Sequence, residues 1–178
     1  MARIIPQSKP KLTRQEAERL LIDNGIDLGF EKIVVIGIRG YYKNTFGKPF
    51  ENDRNFYDDA CFVITKSYFG MWNFNVDPSK FRKGIATLVK GVYRLIKWKH
   101  KGEYAALQVK EDTVSRDGDT KLDRGRHGIN FHYGGDDDTW SEGCQTFPKK
   151  QFQEFQGTVY SLMDSFGLKE VTYLLIEN

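Results

Sequence analysis

The sequence predicts one α+β domain, rich in β-strand, with a helix near each end. Three observations carry this expectation. Lys32-Ile-Val-Val-Ile-Gly-Ile38 and several shorter runs are apolar and β-branched or aromatic, the composition of buried strands. Thr13-Arg-Gln-Glu16 forms a capping box, and the stretch after Pro148 carries apolar residues at helical rather than strand spacing. No repeat, low-complexity tract or linker divides the 178 residues, a length that suits a single domain, 1–178, with a core needing no metal or disulfide staple.

Taken in order, residues 1–10 read as an irregular arm, because Pro6 and Pro10 oppose regular structure. The first helix turns Ala17, Leu20 and Leu21 inward and stops near Asn24-Gly25. Strands follow at 32–38, at 60–65 and through the aromatic run Phe69 to Phe74, which turns at Asn75-Val-Asp-Pro-Ser79. Arg39, at a strand end, offers a bidentate partner for a substrate carboxylate, or an internal partner for Asp58 or Asp59. Asp58, Asp59 and Asp77 lack the spacing of a calcium loop, and Asp-Pro-Ser is an ordinary turn, so no metal is expected. A turn in Gly84–Gly91 leads into a strand from Val92 to Ile96, and a further strand runs from Tyr104 to Val109. Between them, Lys97-Trp-Lys-His-Lys-Gly102 reads as a basic, solvated hairpin loop in which His100 has no catalytic role. The charged, Gly/Asp-rich stretch 110–126 reads as an exposed loop or substrate flap. Phe152, Phe155, Val159, Leu162 and Phe166 stripe the last helix, which Gly167 ends, and Glu170 to Ile176 is the final strand.

Composition narrows the function classes. Apolar residues make up 39% and aromatics 14%, a globular balance, and the net charge of +3 is too mild to argue for nucleic acid. The chain has no zinc-finger spacing, no RNP-like stretch and no dense basic block. No apolar run approaches a membrane span, so no stable membrane insertion is expected, and the start of the chain lacks the apolar core of a signal peptide. Two cysteines in contrasting contexts make no disulfide framework, and reduced thiols in a cytoplasmic setting are expected. Cys61 lies in an apolar run and reads as core.

Cys144 differs. Its neighbours Ser141, Glu142, Gly143 and Gln145 are small or polar, the context of a reactive thiol at a pocket rim. Twelve positions earlier stands His132, at the end of a short alternating strand in which Ile129 and Phe131 face one way and Asn130 and His132 the other. A nearby imidazole depresses a thiol pKa and takes its proton, so Cys144 reads as nucleophile and His132 as base. His127 is the second-choice base, because an extended strand points it to the opposite face. Gly143 permits close approach, and the amides of Gly143 and Cys144 are candidates for an oxyanion hole. Ser141 shapes the turn or binds substrate, while Arg39, Asn130, Tyr133, Trp140 and Gln145 are the candidate substrate contacts.

Gly128-Ile-Asn-Phe-His132 and Ser141-Glu-Gly-Cys144 resemble the active-site motif of L,D-transpeptidase (YkuD-type) catalytic domains, in which Gly-Ile-x-hydrophobic-His is followed after a loop by Ser-His-Gly-Cys. The segment 84–96 is loosely similar to that family's Thr-Pro-x-Gly-x-Tyr, with Thr87, Gly91 and Tyr93 as partial counterparts. The resemblance implies a curved antiparallel or mixed sheet or small barrel with flanking helices. It also implies a cysteine nucleophile at Cys144, and a base at His132 that is oriented by a backbone carbonyl such as that of Tyr133. Glu142 and Thr146 stand where the family has histidine and arginine, and the His-to-Cys loop is shorter. This variant resembles phage-type members, some of which look like lysis enzymes.

The expected activity is cysteine-dependent acyl transfer, without cofactor or metal, on peptidoglycan stem peptides or cross-links next to a D-amino acid. The departures favour hydrolysis, as in a phage endolysin or a delivered bacteriolytic cell-wall toxin, over a true L,D-transpeptidase. The protein is expected to be monomeric, made in the cytoplasm and active at the bacterial cell wall after release or delivery. A catalytically silent wall-binding or virion-structural module is the alternative from another class. A papain-like peptidase fits less well, because there the cysteine usually precedes the histidine.

Overall fold

The computed structural model describes residues 3–178. Eleven strands and two helices are found among them: α1 (Arg14–Asp23), β1 (Val34–Arg39), β2 (Asp59–Ile64), β3 (Phe69–Phe74), β4 (Ala86–Leu88), β5 (Gly91–His100), β6 (Tyr104–Val109), β7 (Asp112–Arg116), β8 (Asp123–Gly125), β9 (Asn130–Gly134), β10 (Gln145–Pro148), α2 (Lys149–Phe166) and β11 (Glu170–Glu177). The fold is a β-rich α+β domain. Among the described residues, no helix is long and apolar enough to cross a membrane.

Eight strands form one curved mixed sheet in the order β10-β9-β6-β5-β11-β1-β2-β3. The pairs β1/β11 and β9/β10 are parallel, and the remaining neighbours are antiparallel. The two edges nearly meet, because Asn75, just beyond β3, exchanges two backbone hydrogen bonds of 2.8 Å with Thr146 of β10. Closure of this kind removes edges that would otherwise pair with other chains.

The alternation of side chains along β1 explains its unbroken apolar run. Val34, Ile36 and Ile38 face Ala17 and Leu21 of α1, while Val35 faces the interior with Cys61, Val63 and Leu95. A strand covered on both faces needs apolar residues at every position. The helix α1 begins with the expected capping box at Thr13 and Glu16. The helix α2 packs against β3, β6, β9 and β10 with Phe152, Phe155, Val159 and Met163, a stripe displaced from the expected one at its end, where Phe166 is exposed. Phe155 stacks on Phe147 and Phe131, so the helix packs directly behind the strands of the site.

Two expectations about the connections need correction, and a third, the irregular arm, gains a detail. The arm before α1 has no regular structure from residue 3 on, yet it is anchored: Ile4 is buried and its carbonyl accepts from Tyr57. Met1 and Ala2 lie outside the described residues. The stretch 110–126 is not a structureless flap, because β7 and β8 join β4 in a three-stranded sheet. Val114 and Asp112 alternate inward there, and the Asp112 carboxylate is satisfied by His127. The basic loop 97–102 is likewise mostly strand. The strand β5 continues to His100 and turns through Lys101, Gly102 and Glu103, the first two with positive φ.

Candidate active site

Parallel pairing of β9 with β10 sets Gln145 beside Phe131 and Thr146 beside His132, which brings Cys144 level with Asn130. The pleat then decides which residues meet. Ile129 and Phe131 enter the core as expected, and Asn130 and His132, both buried, lie on the opposite face toward a cleft. Cys144, an odd step from Gln145, shares their face. Its Sγ accepts the Asn130 backbone N–H at 3.4 Å. A cleft of about 530 Å³ opens over these residues, lined also by His100, Lys101, Glu103, Tyr104, Tyr133, Trp140 and Glu142.

The imidazole of His132 is held by its own neighbour. Nδ1 lies 2.8 Å from the Tyr133 carbonyl, which only accepts, so Nδ1 carries the proton and Nε2 keeps its lone pair. The ring stacks on His100 with centroids 4.2 Å apart. His100 is fixed in turn: Asn130 donates from Nδ2 to its Nδ1 at 3.1 Å and accepts from Gln108 at 2.9 Å, and Gln108 accepts from Arg126 at 2.9 Å. His100 therefore belongs to the site that the sequence reading left it out of. The expected end of the strand at Ile96, four residues short of its end at His100, is what left it out.

The thiol and the imidazole are both neutral at pH 7. Burial, opposed by the bond to the Tyr133 carbonyl and reinforced by His100 and by the Lys101 ammonium, lowers His132 to about 4. Burial also raises the Cys144 thiol above its ordinary value, with Glu142 adding to the rise and the Asn130 amide and Lys101 opposing it. No hydrogen bond joins Sγ to the imidazole, and the thiol pKa is raised where the sequence reading expected it depressed.

The turn before the cysteine is built by Ser141, which is buried. Its Oγ donates to the Cys144 carbonyl at 2.7 Å and accepts from the Gly143 N–H at 3.2 Å, while its own amide donates to Ser79. The Gly143 amide is thereby engaged, which corrects its assignment to the oxyanion hole. The Cys144 amide has no partner among the described residues and remains available there. Gly143 is required for another reason. Its φ is +116°, and an added Cβ would overlap the Ala86 carbonyl oxygen of β4.

The remaining candidates divide sharply. Asn130, Tyr133 and Trp140 line the cleft. Trp140 is 55% exposed and has φ +52°, a left-handed conformation uncommon for a bulky residue. Arg39 does not reach the cleft: its side chain is engaged inside by Glu177 at 2.8 Å, Asp77 at 3.3 Å and the Leu88 carbonyl at 2.7 Å. Neither Asp58 nor Asp59 is its ion-pair partner; their carboxylates accept from the backbone of Asp53, Gly40 and Val76. Gln145 faces the interior, where it accepts from the Tyr173 hydroxyl and donates to the Val76 carbonyl. His127 is also removed from the cleft. Both ring nitrogens meet carboxylates, Asp112 and Asp123, and these bonds raise its pKa, so it is a structural cation rather than a base.

No protein-family model matches the chain, and no curated protein matches it.

Proposed function

We propose that the protein is a cysteine-dependent peptidoglycan hydrolase that cleaves stem-peptide or cross-link amide bonds next to a D-amino acid. The observation that carries this is the shared face of β9 and the β10 turn. There a partly exposed thiol opens onto the same cleft as an imidazole whose Nδ1 is pinned to a carbonyl and whose Nε2 is free. In the first step Nε2 of His132 takes the thiol proton as Sγ bonds to the carbonyl carbon, and the Cys144 amide receives the developing oxyanion. The C–N bond then breaks, His132 returns the proton to the leaving amine, and a thioester remains on Cys144. Water attacks the thioester, loses a proton through His132 to the departing sulfur, and releases the acid.

The motif resemblance to L,D-transpeptidase domains supports the choice of substrate, and a curved, nearly closed mixed sheet is compatible with that fold type. Hydrolysis is favoured over transpeptidation because Thr146, at the position of the family's arginine, is buried and bonded to Asn75, so it offers an acceptor substrate nothing. In this reading the protein acts at the bacterial cell wall, as a phage lysis enzyme or a delivered toxin. One observation favours a silent wall-binding module instead: the resting thiol is neutral and has no hydrogen bond to the imidazole. Digestion of purified peptidoglycan, read by mass spectrometry, separates the two. Stem-peptide cleavage that disappears in Cys144→Ala supports the hydrolase, and intact peptidoglycan from both proteins across several wall types supports the silent module.

A further inference from the structure

The cleft above Cys144 is lined by a single cation, Lys101, and its backbone is unusual. Lys101 and Gly102 are the two central residues of the turn His100–Glu103 in the three-residue β5–β6 connection, with φ +50° and +75°, closed by the Glu103 N–H donating to the His100 carbonyl at 2.9 Å. That geometry favours Asn, Asp or Gly at its first central position, and a left-handed non-glycine residue carries a conformational penalty. Lysine at this place is a choice against local propensity, which points to a use for its side chain. The use is not internal: no acidic group among the described residues lies within ion-pair distance of its ammonium.

Lys149 sits over the Tyr133 ring at 5.1 Å and Arg126 is held by Gln108, which leaves Lys101 as the cation that lines the cleft itself. Arg82 is occupied by Glu142 at 3.2 Å, Arg39 lies inside the fold, and β10 presents Thr146, which is buried. Glu103 and Glu142 also line the cleft, so an anion is drawn to the Lys101 side and not to the cleft as a whole. The charge of Lys101 reaches both reacting groups, since it lowers the pKa of His132 and that of Cys144. Lys101, His132 and Cys144 line the same cleft.

We infer that Lys101 is the specificity residue of the cleft: its ammonium pairs with a free carboxylate on the acyl-donor peptide, beside the carbonyl that Cys144 attacks. This rests on the proposed peptide substrate, and it assigns a peptide with a free carboxylate over its amidated form. The hairpin supplies the cation that β10 does not.

Two measurements test it, one independent of the substrate. Alkylation of Cys144 is followed by peptide mapping with iodoacetate, which is anionic, and with iodoacetamide, which is neutral. Lys101→Asn suits the left-handed turn and removes only the charge, so its fold is preserved. It is expected to lower the iodoacetate-to-iodoacetamide rate ratio about 3- to 10-fold, the size of one unit charge acting across a hydrated cleft. Lys101→Glu lowers the ratio further and Lys101→Arg restores it. A ratio unchanged in both Lys101→Asn and Lys101→Glu overturns the inference. In the second measurement, stem peptides with free and with amidated carboxylates are compared. Lys101→Asn raises KM for the free acid about tenfold more than KM for the amide; equal changes on both overturn the inference. If the wild type turns over neither peptide, the hydrolase reading fails while the alkylation ratio still decides the role of Lys101.

Discussion

Acidification will destabilise the folded chain through His132, and the size of the effect follows from its surroundings. The imidazole is 5% exposed, stacked on His100, and bonded only to the Tyr133 carbonyl. Its pKa falls from 6.5 to about 4, chiefly through burial. In the unfolded chain the ring takes up a proton as the pH drops through 6.5, whereas in the fold it does so only near 4. Its stabilising contribution is therefore complete above pH 6.5, declines between 6.5 and 4, and is gone below that. At about 1.4 kcal/mol per pH unit, the loss amounts to about 3 kcal/mol. Other groups titrate with the opposite sign: burial raises Asp58 to about 7, and carboxylate bonds raise His127, so both favour the fold as the pH falls. Wild type alone would mix these effects, and the comparison with His132→Gln isolates the ring. Urea denaturation followed by circular dichroism at pH 7 and pH 4 is the assay. Wild type is expected to lose about 3 kcal/mol more than the variant over this interval. Equal losses would refute the buried, neutral imidazole.

Two further outcomes follow from the same geometry. Because burial raises the Cys144 thiol, its alkylation by iodoacetamide is expected to rise about tenfold per pH unit from pH 6 to pH 8, while buried Cys61 stays unmodified. A plateau below pH 7 would instead reveal a preformed thiolate–imidazolium pair. Gly143→Ala combines a left-handed φ of +116° with overlap on the Ala86 carbonyl, and is expected to lower stability by about 1–3 kcal/mol and to abolish peptide turnover; a melting temperature and turnover equal to those of the wild type would contradict that account.

The parts of the site that could be read from the sequence are those set by local periodicity. Strand alternation sent Ile129 and Phe131 inward and Asn130 and His132 outward, and the small residues around Cys144 marked a turn instead of a core strand. The parts that could not be read depend on contacts distant in sequence. Arg39 and Gln145 are polar residues at strand ends, a pattern shared by binding residues and by buried ones. Their partners Glu177, Asp77, Tyr173 and Val76 decide the matter, and only the assembled sheet supplies them. The strands β7 and β8 were obscured because an inward Asp112 resembles solvated loop until His127 is placed on it. His100 was missed through the length of β5: a hairpin ending at Ile96 would leave it in solvent, whereas strand continued to residue 100 stacks it on His132.

The central claim is that Cys144 becomes acylated by a peptide carbonyl, and intact-protein mass spectrometry after rapid acid quench tests it most directly. Mixed with soluble peptidoglycan fragments, wild type is expected to gain the mass of the acyl fragment minus its leaving amine. The gain should map to the tryptic peptide containing Cys144, disappear with neutral hydroxylamine and be missing in Cys144→Ala. A wild-type mass that stays unchanged while fragments are cleaved would contradict the thioester, and an adduct on any other residue would move the chemistry away from Cys144.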